Sequence, residues 1–386
     1  MVAVNGSVAR GFEPVAAAFA QNYDEGLEIG SALAIYRDGE ALVDIWAGTA
    51  DRRSGRPWAS DTVQTIFSGT KGLVGICMLM LLDRGLIDLD DPMQKYWPEF
   101  GKPHVRIREI VSHQARLPGV ATAEISPEQF LDDVYMEDVM AREPQSTDLR
   151  AVLTYHGTTI GWLCGGLIRR VTGKSMPKFF ADELATPLGL DIWIGLPEAI
   201  EPRVAYLELN DTWTLGKVFQ EPPAIGYKDD VLFWSIWRNP THLTPSTFMP
   251  LWNSRAFRAG RVPAANGVAL ARSMARLYGE LAAGRIVSPK TLALAPQAIC
   301  DGWDGVLDGP RKNSILFQLN PANPHLGPVA NAYGHDGAGG SLHGVWPDQR
   351  VGFSYCMNLL RTDADGEPRT RRIMRALADC LGCGEA

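Results

Sequence analysis

The sequence predicts a mixed α/β fold of the α+β type. Both ends of the chain would build one antiparallel sheet with helices on it, and the middle would form a mostly helical insertion. Strands are indicated near both ends of the chain, at 31–48 and 331–358, and helices in the middle, although residues 200–265 show no clear period. With 386 residues and 46% hydrophobic content, the chain can bury a large core. We expect a sheet region at 1–66 and 267–386 and a helical region at 67–266.

The individual elements follow in chain order. Residues 12–22 predict a short helix. Residues 31–48 alternate on both sides of Asp38-Gly39, a dipeptide typical of a tight hairpin turn. Residues 68–84 predict a helix that is apolar on nearly every side, and such a helix lies inside a protein. Further helices are predicted at 126–141, 158–171, 176–185, 267–283 and 369–381, and strands separated by a glycine-rich turn at 331–358.

Composition and charge narrow the possible partners. The net charge is −7 and no run of Lys or Arg occurs, which argues against binding to nucleic acid or an anionic membrane. The N-terminus lacks the features of a secretory signal, and the longest apolar run, 72–82, is too short to span a bilayer. Several of the six cysteines stand in apolar contexts, as buried thiols do. We therefore expect a cytoplasmic protein, and its oligomeric state stays open.

A metal site is not expected. Cys380-Leu-Gly-Cys383 has the form of half a zinc site, but no second pair of Cys or His residues lies near it in the sequence. Structural zinc needs four ligands, so the end of a helix is the simpler interpretation.

Two Ser-x-x-Lys pairs are candidates for a nucleophile and its base, Ser68 with Lys71 and Ser175 with Lys178. Three residues along a helix place two side chains on one face, and a lysine whose pKa is lowered by burial can accept a serine proton. A wholly apolar helix follows Lys71, whereas an amphipathic surface helix follows Ser175. We therefore favour the first pair and assign Ser175 to helix capping.

A nucleophile also needs a second proton-transfer group and an oxyanion site. Tyr155 stands just before a predicted helix in "LTYHGTTIGW", and "YGHDGAGGSLHGVWPD" predicts two strands around a glycine-rich bend. The simpler alternatives are a packed aromatic and an ordinary hairpin turn. A Ser-His-Asp triad with His335, His343 and Asp348 is disfavoured because no G-x-S-x-G elbow surrounds Ser68.

Ser68-Gly-Thr-Lys71, then Tyr155, then His335-Asp-Gly337 resemble, in this order, the three motifs of the serine β-lactamase and penicillin-binding-protein superfamily. Connecting segments such as "IVSHQARLPG" and "GWLCGGLIRRVTGKS" are similar as well, and the resemblance covers nearly the whole chain. It is nearest to the class C β-lactamase-like carboxylesterases, often called family VIII esterases. The resemblance implies a β-lactamase-like fold and a serine hydrolase that needs no metal or organic cofactor.

The resemblance also implies roles for single residues. Ser68 matches the acylated nucleophile, and Lys71 and Tyr155 match the general base pair. The backbone N–H groups of Ser68 and Ala338 match the oxyanion hole. The expected reaction is hydrolysis of a small carboxylic ester through an acyl-enzyme.

Departures from the superfamily's pattern bear on the substrate. Relatives usually have Asn at the position of Gly157 and Lys at the position of His335, and these hold a substrate amide and a substrate carboxylate. We expect His335, Gly337 and Gly157 to contact the substrate and uncharged esters to fit better than β-lactams or peptides. Arg116 stands where such segments usually have Gly, and the sequence alone offers no physical account of it.

Several alternatives stay open at this stage. The same acyl-enzyme would serve a β-lactamase, a D-alanyl-D-alanine peptidase or an acyltransferase, and a non-catalytic binding protein is disfavoured because Ser68, Lys71 and Tyr155 are all present. The aromatic residues of 233–257, among them Trp234 and Trp252, either line a substrate pocket or belong to the core.

Overall fold

The computed structural model describes residues 2–211, 230–237, 239, 245–320, 326–361 and 367–383. The helices are α1 (Glu13–Asp24), α2 (Thr70–Asp83), α3 (Ile107–Val111), α4 (Pro127–Phe130), α5 (Asp133–Arg142), α6 (Thr159–Thr172), α7 (Met176–Phe180), α8 (Thr186–Leu188), α9 (Val231–Trp237), α10 (Pro245–Trp252), α11 (Arg255–Ala259), α12 (Ala271–Ala282), α13 (Pro289–Leu292) and α14 (Pro368–Leu381). The strands are β1 (Asn5–Val8), β2 (Gly30–Arg37), β3 (Glu40–Asp51), β4 (Arg56–Pro57), β5 (Gln64–Phe67), β6 (Ile192–Ile194), β7 (Glu208–Leu209), β8 (Gly267–Ala269), β9 (Cys300–Asp304), β10 (Gly309–Asn313), β11 (Gln318–Leu319), β12 (Tyr333–Gly337), β13 (Ser341–Trp346), β14 (Val351–Met357) and β15 (Leu359–Leu360).

The main sheet confirms the predicted fold class. Its strand order is β1-β3-β2-β14-β13-β12-β11-β10-β9, with β4 added to β3, and all of its neighbours run antiparallel. N-terminal and C-terminal strands meet where β2 pairs with β14, from Val351 opposite Arg37 to Met357 opposite Ser31. The sheet is thus built from both chain ends. Asp38 and Gly39 turn the β2–β3 hairpin with φ of 56° and 92°, as a primed turn requires.

Helices cover this sheet. The amphipathic helix α12 packs on β14, β2 and β13, and α1 packs against α14. The apolar face of α12 is fully buried at Met274, Leu277, Tyr278 and Leu281. Helices α1 and α14 match the predicted N-terminal helix and the predicted last helix within two residues at each end.

Helix α2 lies in the centre of the protein, as its apolar sequence predicts. Every residue from Thr70 to Leu81 is buried. Helices α6 and α7 pack on it, and so does strand β12 of the sheet. Gly72 and Gly75 leave room for the rings of Tyr278 and Phe317, which approach the helix backbone closely. Because α2 touches both the sheet and the helices, its N-terminus lies between the two.

The prediction of one helix over 267–283 is wrong at its start. Gly267–Ala269 form β8, the central strand of a small sheet in which Val268 stands opposite both Thr65 of β5 and Trp193 of β6. The helix begins only at Ala271. The apolar run at 267–271 suits a buried strand as well as a helix, and pairing on both edges decides for the strand.

Two further helices are less regular than predicted. The predicted helix at 126–141 divides into α4 and α5, because the Asp132 side chain accepts hydrogen bonds from the N–H groups of Val134 and Tyr135 and so caps a new helix. The predicted helix at 176–185 changes from α-helix to π-helix after Phe180. The proposed division into a sheet region and a helical region stays a prediction.

Four cysteines, Cys77, Cys164, Cys300 and Cys356, are buried free thiols. Within the described residues, we find no helix with both the length and the apolar character needed to cross a membrane.

Candidate active site

Ser68 lies at the junction of strand β5 and helix α2. Phe67, the last residue of β5, has a φ of 44°, a left-handed conformation that is strained for an aromatic residue. Helix α2 begins at Thr70, so Ser68 stands in the turn before the helix and not within it as predicted. The Trp252 ring packs edge-on against Phe67, with the ring centroids 4.6 Å apart, and supports this turn.

Lys71 and Tyr155 converge on the Ser68 hydroxyl. Lys71 Nζ donates a hydrogen bond to Ser68 Oγ at 3.0 Å and another to the carbonyl oxygen of Ala264 at 2.9 Å. The Tyr155 hydroxyl donates to Ser68 Oγ at 2.7 Å. The structure therefore brings together the three side chains predicted to carry the reaction.

Burial determines the protonation states of Lys71 and Tyr155. Lys71 is fully buried, and burial lowers its pKa well below the usual value, which favours the neutral amine. Burial also raises the pKa of Tyr155, so that its hydroxyl keeps its proton at neutral pH. A neutral amine that contacts a serine hydroxyl can accept its proton, and a protonated phenol can supply one.

The second Ser-x-x-Lys pair has the capping role predicted for it. Ser175 Oγ accepts a hydrogen bond from the backbone N–H of Lys178 at 3.4 Å, at the first turn of α7. The Lys178 side chain is 63% exposed, and its Nζ lies 3.0 Å from Asp182 Oδ1. A solvated, ion-paired lysine is a poor base, so the structure separates the two pairs by burial.

Tyr155 is positioned by a carboxylate that the sequence analysis did not identify. The backbone N–H of Tyr155 donates to Asp304 Oδ2 at 2.8 Å, and the Thr154 hydroxyl donates to Asp304 Oδ1 at 2.7 Å. Arg311 Nε donates to Asp304 Oδ2 at 2.7 Å, and the Arg311 guanidinium carbon lies 4.7 Å from the centroid of the Tyr155 ring. Burial raises the pKa of Asp304, but the charge of Arg311 and the surrounding donors outweigh it, so the pKa falls below its usual value.

One signal in the sequence points to this missed element. Asp308-Gly309 is a dipeptide typical of turns, and it lies at the end of the β9–β10 turn, where Gly309 pairs with Asp304. No local pattern indicates that these two residues face Tyr155, because that contact joins segments about 150 residues apart.

Strand β12 and its following turn form the opposite side of the site. Pairing between β12 and β11 covers only Tyr333 and Gly334, so the strand continues past the end of β11 toward Gly337. A Cβ at Gly337 would collide with the carbonyl oxygen of Ile66, which shows how closely the strand approaches β5 beside Ser68. Only glycine fits there.

The turn that contains Ala338 is held from outside. The carbonyl oxygen of Gly339 accepts hydrogen bonds from the backbone N–H of Arg361 at 3.2 Å and from Arg369 Nη2 at 2.6 Å. The backbone N–H groups of Ser68 and Ala338 donate to no backbone carbonyl among the turn and loop hydrogen bonds of the described residues. Their role as oxyanion hole stays a prediction.

Three histidines close to Tyr155 are buried and neutral. His335 donates from Nδ1 to the carbonyl oxygen of Asp336 at 2.7 Å, which leaves Nε2 as an acceptor, and its ring centroid lies 6.2 Å from that of Tyr155. Burial lowers the pKa of His335 and of His113, whose ring centroid lies 5.0 Å from that of Tyr155. Burial likewise lowers the pKa of His156 to about 4.

The disfavoured Ser-His-Asp triad is not the arrangement around Ser68, whose hydroxyl contacts Lys71 and Tyr155 instead. His343 stands opposite His335 on the neighbouring strand, and its Nδ1 lies 2.8 Å from Ser354 Oγ. Its ring packs on Gly69, where a Cβ would stand 2.5 Å from Cδ2. Asp348 lies in the exposed turn after β13. The His343 ring therefore shapes the turn at Ser68 without a carboxylate partner among the described residues.

The remaining predicted substrate contacts are less clearly placed. The rings of Trp237 and Tyr155 lie 3.9 Å from the position of a Cβ on Gly157, so this glycine borders the site. Trp252 is buried against Phe67 and Trp234 is partly exposed in α9. Their contact with substrate stays a prediction, and residues 238 and 240–244 of the aromatic-rich segment lie outside the described residues.

Arg116 now has a physical explanation. Its φ is 59°, in the left-handed region that glycine adopts without strain. Its carbonyl oxygen accepts from Ser146 N–H at 2.8 Å, and its Nη2 donates to the carbonyl oxygen of Asp148 at 3.2 Å. The loop thus keeps a conformation suited to glycine, and these two contacts hold the arginine in it.

The fold and the site together define a class of protein: an antiparallel sheet with a helical region, and at their junction a serine contacted by a buried lysine and a tyrosine. The sequence model of the Beta-lactamase family matches residues 15–378. The chain belongs to that family, and it has a β-lactamase-like fold.

Particular relatives agree with this assignment. The chain is 34% identical to the esterase/beta-lactamase LipL of Mycobacterium tuberculosis over 365 residues, which cover 90% of this chain and 81% of that protein. It superposes on the crystal structure of a family VIII carboxylesterase with a TM-score of 0.87 and 33% identity, covering 98% of this chain and all of that one. A penicillin-binding protein homologue from Caulobacter crescentus gives a TM-score of 0.84 and 31% identity, with the same coverage.

Proposed function

We propose that the protein is a carboxylesterase that cleaves small uncharged esters through an acyl-enzyme on Ser68. The observation that carries this proposal is the convergence of Lys71 Nζ and the Tyr155 hydroxyl on Ser68 Oγ, at 3.0 Å and 2.7 Å, with Lys71 fully buried. The family VIII carboxylesterase and the esterase/beta-lactamase named above support the choice of esters.

The first half of the reaction is acylation. Lys71, neutral because it is buried, accepts the Ser68 proton as Oγ attacks the ester carbonyl carbon. The backbone N–H groups of Ser68 and Ala338 stabilise the oxyanion of the tetrahedral intermediate. The intermediate then collapses, and the leaving alkoxide takes a proton from the Tyr155 hydroxyl, which regains one from Lys71.

The second half releases the acid. Water gives a proton to the Lys71–Tyr155 pair as its oxygen attacks the acyl carbonyl, and the proton returns to Ser68 Oγ as the acyl bond breaks. An alcohol that enters in place of water would make the enzyme an acyltransferase by the same steps. The natural partner of the site is thus a small-molecule ester, and a cytoplasmic location stays a prediction.

The charge of the site favours esters over β-lactams. His335 stands where a lysine would attract a substrate carboxylate, and burial lowers its pKa, so it carries no charge at neutral pH. Gly157 offers no side-chain amide. The penicillin-binding protein homologue makes a β-lactamase or a peptidase the second candidate.

Labelling with a fluorophosphonate probe tests the proposal. A catalytic Ser68 forms a covalent adduct that mass spectrometry locates on its peptide, and turnover of p-nitrophenyl acetate and butyrate exceeds that of nitrocefin. A probe adduct on Ser175 or on no serine, together with hydrolysis by Ser68→Ala, would contradict the proposal. Faster nitrocefin turnover would shift the assignment to the second candidate.

A further inference from the structure

Arg311 is a nearly buried side chain whose guanidinium lies over the ring of Tyr155. It projects from strand β10, its side chain is 10% exposed, and its guanidinium carbon lies 4.7 Å from the centroid of the Tyr155 ring. A guanidinium over the face of a tyrosine ring is attracted by the ring electrons and, more strongly, by any negative charge on the phenolic oxygen.

The position of this cation relative to Tyr155 is fixed by one carboxylate. Asp304 is 1% exposed, and its Oδ2 accepts both Arg311 Nε at 2.7 Å and the backbone N–H of Tyr155 at 2.8 Å. The hydroxyl of Thr154 and the N–H groups of the β9–β10 turn occupy Oδ1. The guanidinium and the tyrosine are therefore anchored to the same atom.

Arg311 differs in chemical type from the other charged and titratable groups around Tyr155. Among the described residues, the charged and titratable groups that face Tyr155 come from three elements and one loop: Lys71 from α2, His113 from the loop after α3, His335 and Asp336 from β12, and Asp304 and Arg311 from the β9–β10 hairpin. Burial lowers the pKa of the lysine and both histidines. A guanidinium, in contrast to an amine or an imidazole, is a permanent cation in proteins.

We propose that Arg311 is a positioning residue of the reaction, which stabilises the negative charge that Tyr155 develops when it donates its proton. The inference rests on the proposed function. In that step the Tyr155 O–H bond breaks, its proton passes to the leaving alkoxide, and the phenolate recovers a proton from Lys71. The same positive charge opposes protonation of Lys71 in the resting enzyme. Lys71 therefore stays a neutral base down to a lower pH.

Variants of Arg311 test this inference through the pH dependence of kcat/KM for p-nitrophenyl butyrate. Arg311→Gln should lower kcat about 10- to 100-fold near neutral pH, part of the 10²–10⁴-fold that proton transfer contributes, with little change in KM. Loss of the cation raises the pKa of Lys71 and of Tyr155 alike, so the acidic limb of the profile moves to higher pH. Arg311→Lys should restore much of the activity.

A matched control stands on the same strand. Lys312 is the next residue of β10, and its Nζ pairs with Asp301 at 3.1 Å. Lys312→Gln removes one positive charge from the strand and should keep the wild-type rate and profile. If Arg311→Gln proves unstable, Arg311→Met, which keeps the apolar stem and removes only this charge, should show the same displaced limb.

Three results would overturn the inference. They are an unchanged rate in Arg311→Gln, an equal loss of rate at every pH without displacement of the acidic limb, or a Lys312→Gln profile displaced as far as that of Arg311→Gln. Each differs from failure of the proposed function, in which Ser68→Ala would retain activity.

Discussion

The Tyr155 hydroxyl lies 2.7 Å from Ser68 Oγ, although the two residues are 87 positions apart in the chain. Ser68 reaches this contact from the strained end of β5, and Tyr155 from a loop held by Asp304. Lys71 completes the group from the first turn of helix α2, which is buried from Thr70 to Leu81. The proposed reactive group is thus assembled from separate segments, each held by contacts within the protein.

Replacement of each serine distinguishes the two Ser-x-x-Lys pairs. Ser68→Ala should lower kcat by on the order of 10⁴-fold or more, because it removes the nucleophile. Ser175→Ala should retain nearly full activity and lose about 1 kcal/mol of stability, because it removes only a helix cap. Assays of p-nitrophenyl ester hydrolysis and urea unfolding measure both effects. Comparable activity of Ser68→Ala and wild type would rule out this nucleophile.

Variants of Lys71 and Tyr155, for which we propose proton transfer, should fold and lose catalytic rate. Lys71→Ala and Tyr155→Phe should each lower kcat by roughly 10²–10⁴-fold. Tyr155→Phe keeps the ring against Arg311 and His113, so any loss of rate in this variant reports the contribution of the hydroxyl alone. Lys71→Met serves as the packing control for the buried lysine stem. Wild-type turnover by Tyr155→Phe, measured with circular dichroism as a check of folding, would make Tyr155 a packing residue only.

Local residue patterns predicted most of the secondary structure and the Ser68–Lys71 pair of the candidate site. The β2–β3 hairpin followed from alternation around Asp38-Gly39, and the buried helix α2 from its uniform apolarity. The π-helical turn after Phe180 and the strand β8 could not be predicted in this way, because tertiary packing and pairing on both strand edges decide them.

The contacts of Tyr155 with Asp304 and Arg311 could not be predicted from the sequence. Ser68 and Lys71 are neighbours, so their spacing alone suggests contact. Asp304 and Arg311 reach Tyr155 from a distant hairpin, and only the strand order of the sheet brings that hairpin to the site. A lone acidic residue and a lone arginine carry no pattern that would distinguish them from surface charges.

Arg116→Gly should be more stable than Arg116→Ala, the reverse of the usual order. The left-handed φ of 59° costs a residue with a Cβ about 1–2 kcal/mol, and glycine avoids that cost. Both variants lose the same hydrogen bond to the carbonyl of Asp148, so their difference isolates the backbone strain. Urea unfolding of the pair measures it. If alanine equals glycine at this position, the backbone is not strained there.

Glu28 should make stability fall as pH rises. Burial raises the pKa of Glu28 to about 8, with Arg369 opposing the change, and Arg369 is already paired with Glu367 at 2.7 Å. The folded state therefore holds a proton that the unfolded chain releases above a pH of about 4.3. The stabilisation from this proton is full below that pH and is lost as pH rises through about 8.

Denaturant unfolding between these limits measures the effect. This one group should reduce the unfolding free energy by up to about 1.4 kcal/mol per pH unit, and Glu28→Gln should remove that slope. Glu25→Gln is the matched control, because Glu25 is an ion-paired surface carboxylate whose pKa is lowered through its hydrogen bond to Arg372. An equal slope in Glu28→Gln and wild type would show that Glu28 is ionised in the fold.

Substrate choice should follow from two positions beside the nucleophile. His335 is fully buried and burial lowers its pKa, so near neutral pH it offers one hydrogen bond and no charge for a substrate carboxylate. Gly157 offers no amide, and a Cβ there would meet only ordinary contacts at 3.9 Å, so a side chain can begin at this position without a backbone clash. Both differences act on recognition and leave the Ser68–Lys71–Tyr155 contacts in place.

We therefore expect kcat/KM for small p-nitrophenyl esters to exceed that for penicillins or cephalosporins by on the order of 10³-fold. A missing charge-assisted contact and a missing amide contact together account for roughly 2–4.5 kcal/mol. His335→Lys combined with Gly157→Asn should narrow this ratio by raising β-lactam turnover, while Gly157→Asn alone controls for the amide. The measurement compares nitrocefin and p-nitrophenyl butyrate side by side. Wild-type hydrolysis of the β-lactam that equals or exceeds ester hydrolysis would replace the esterase assignment with a β-lactamase one.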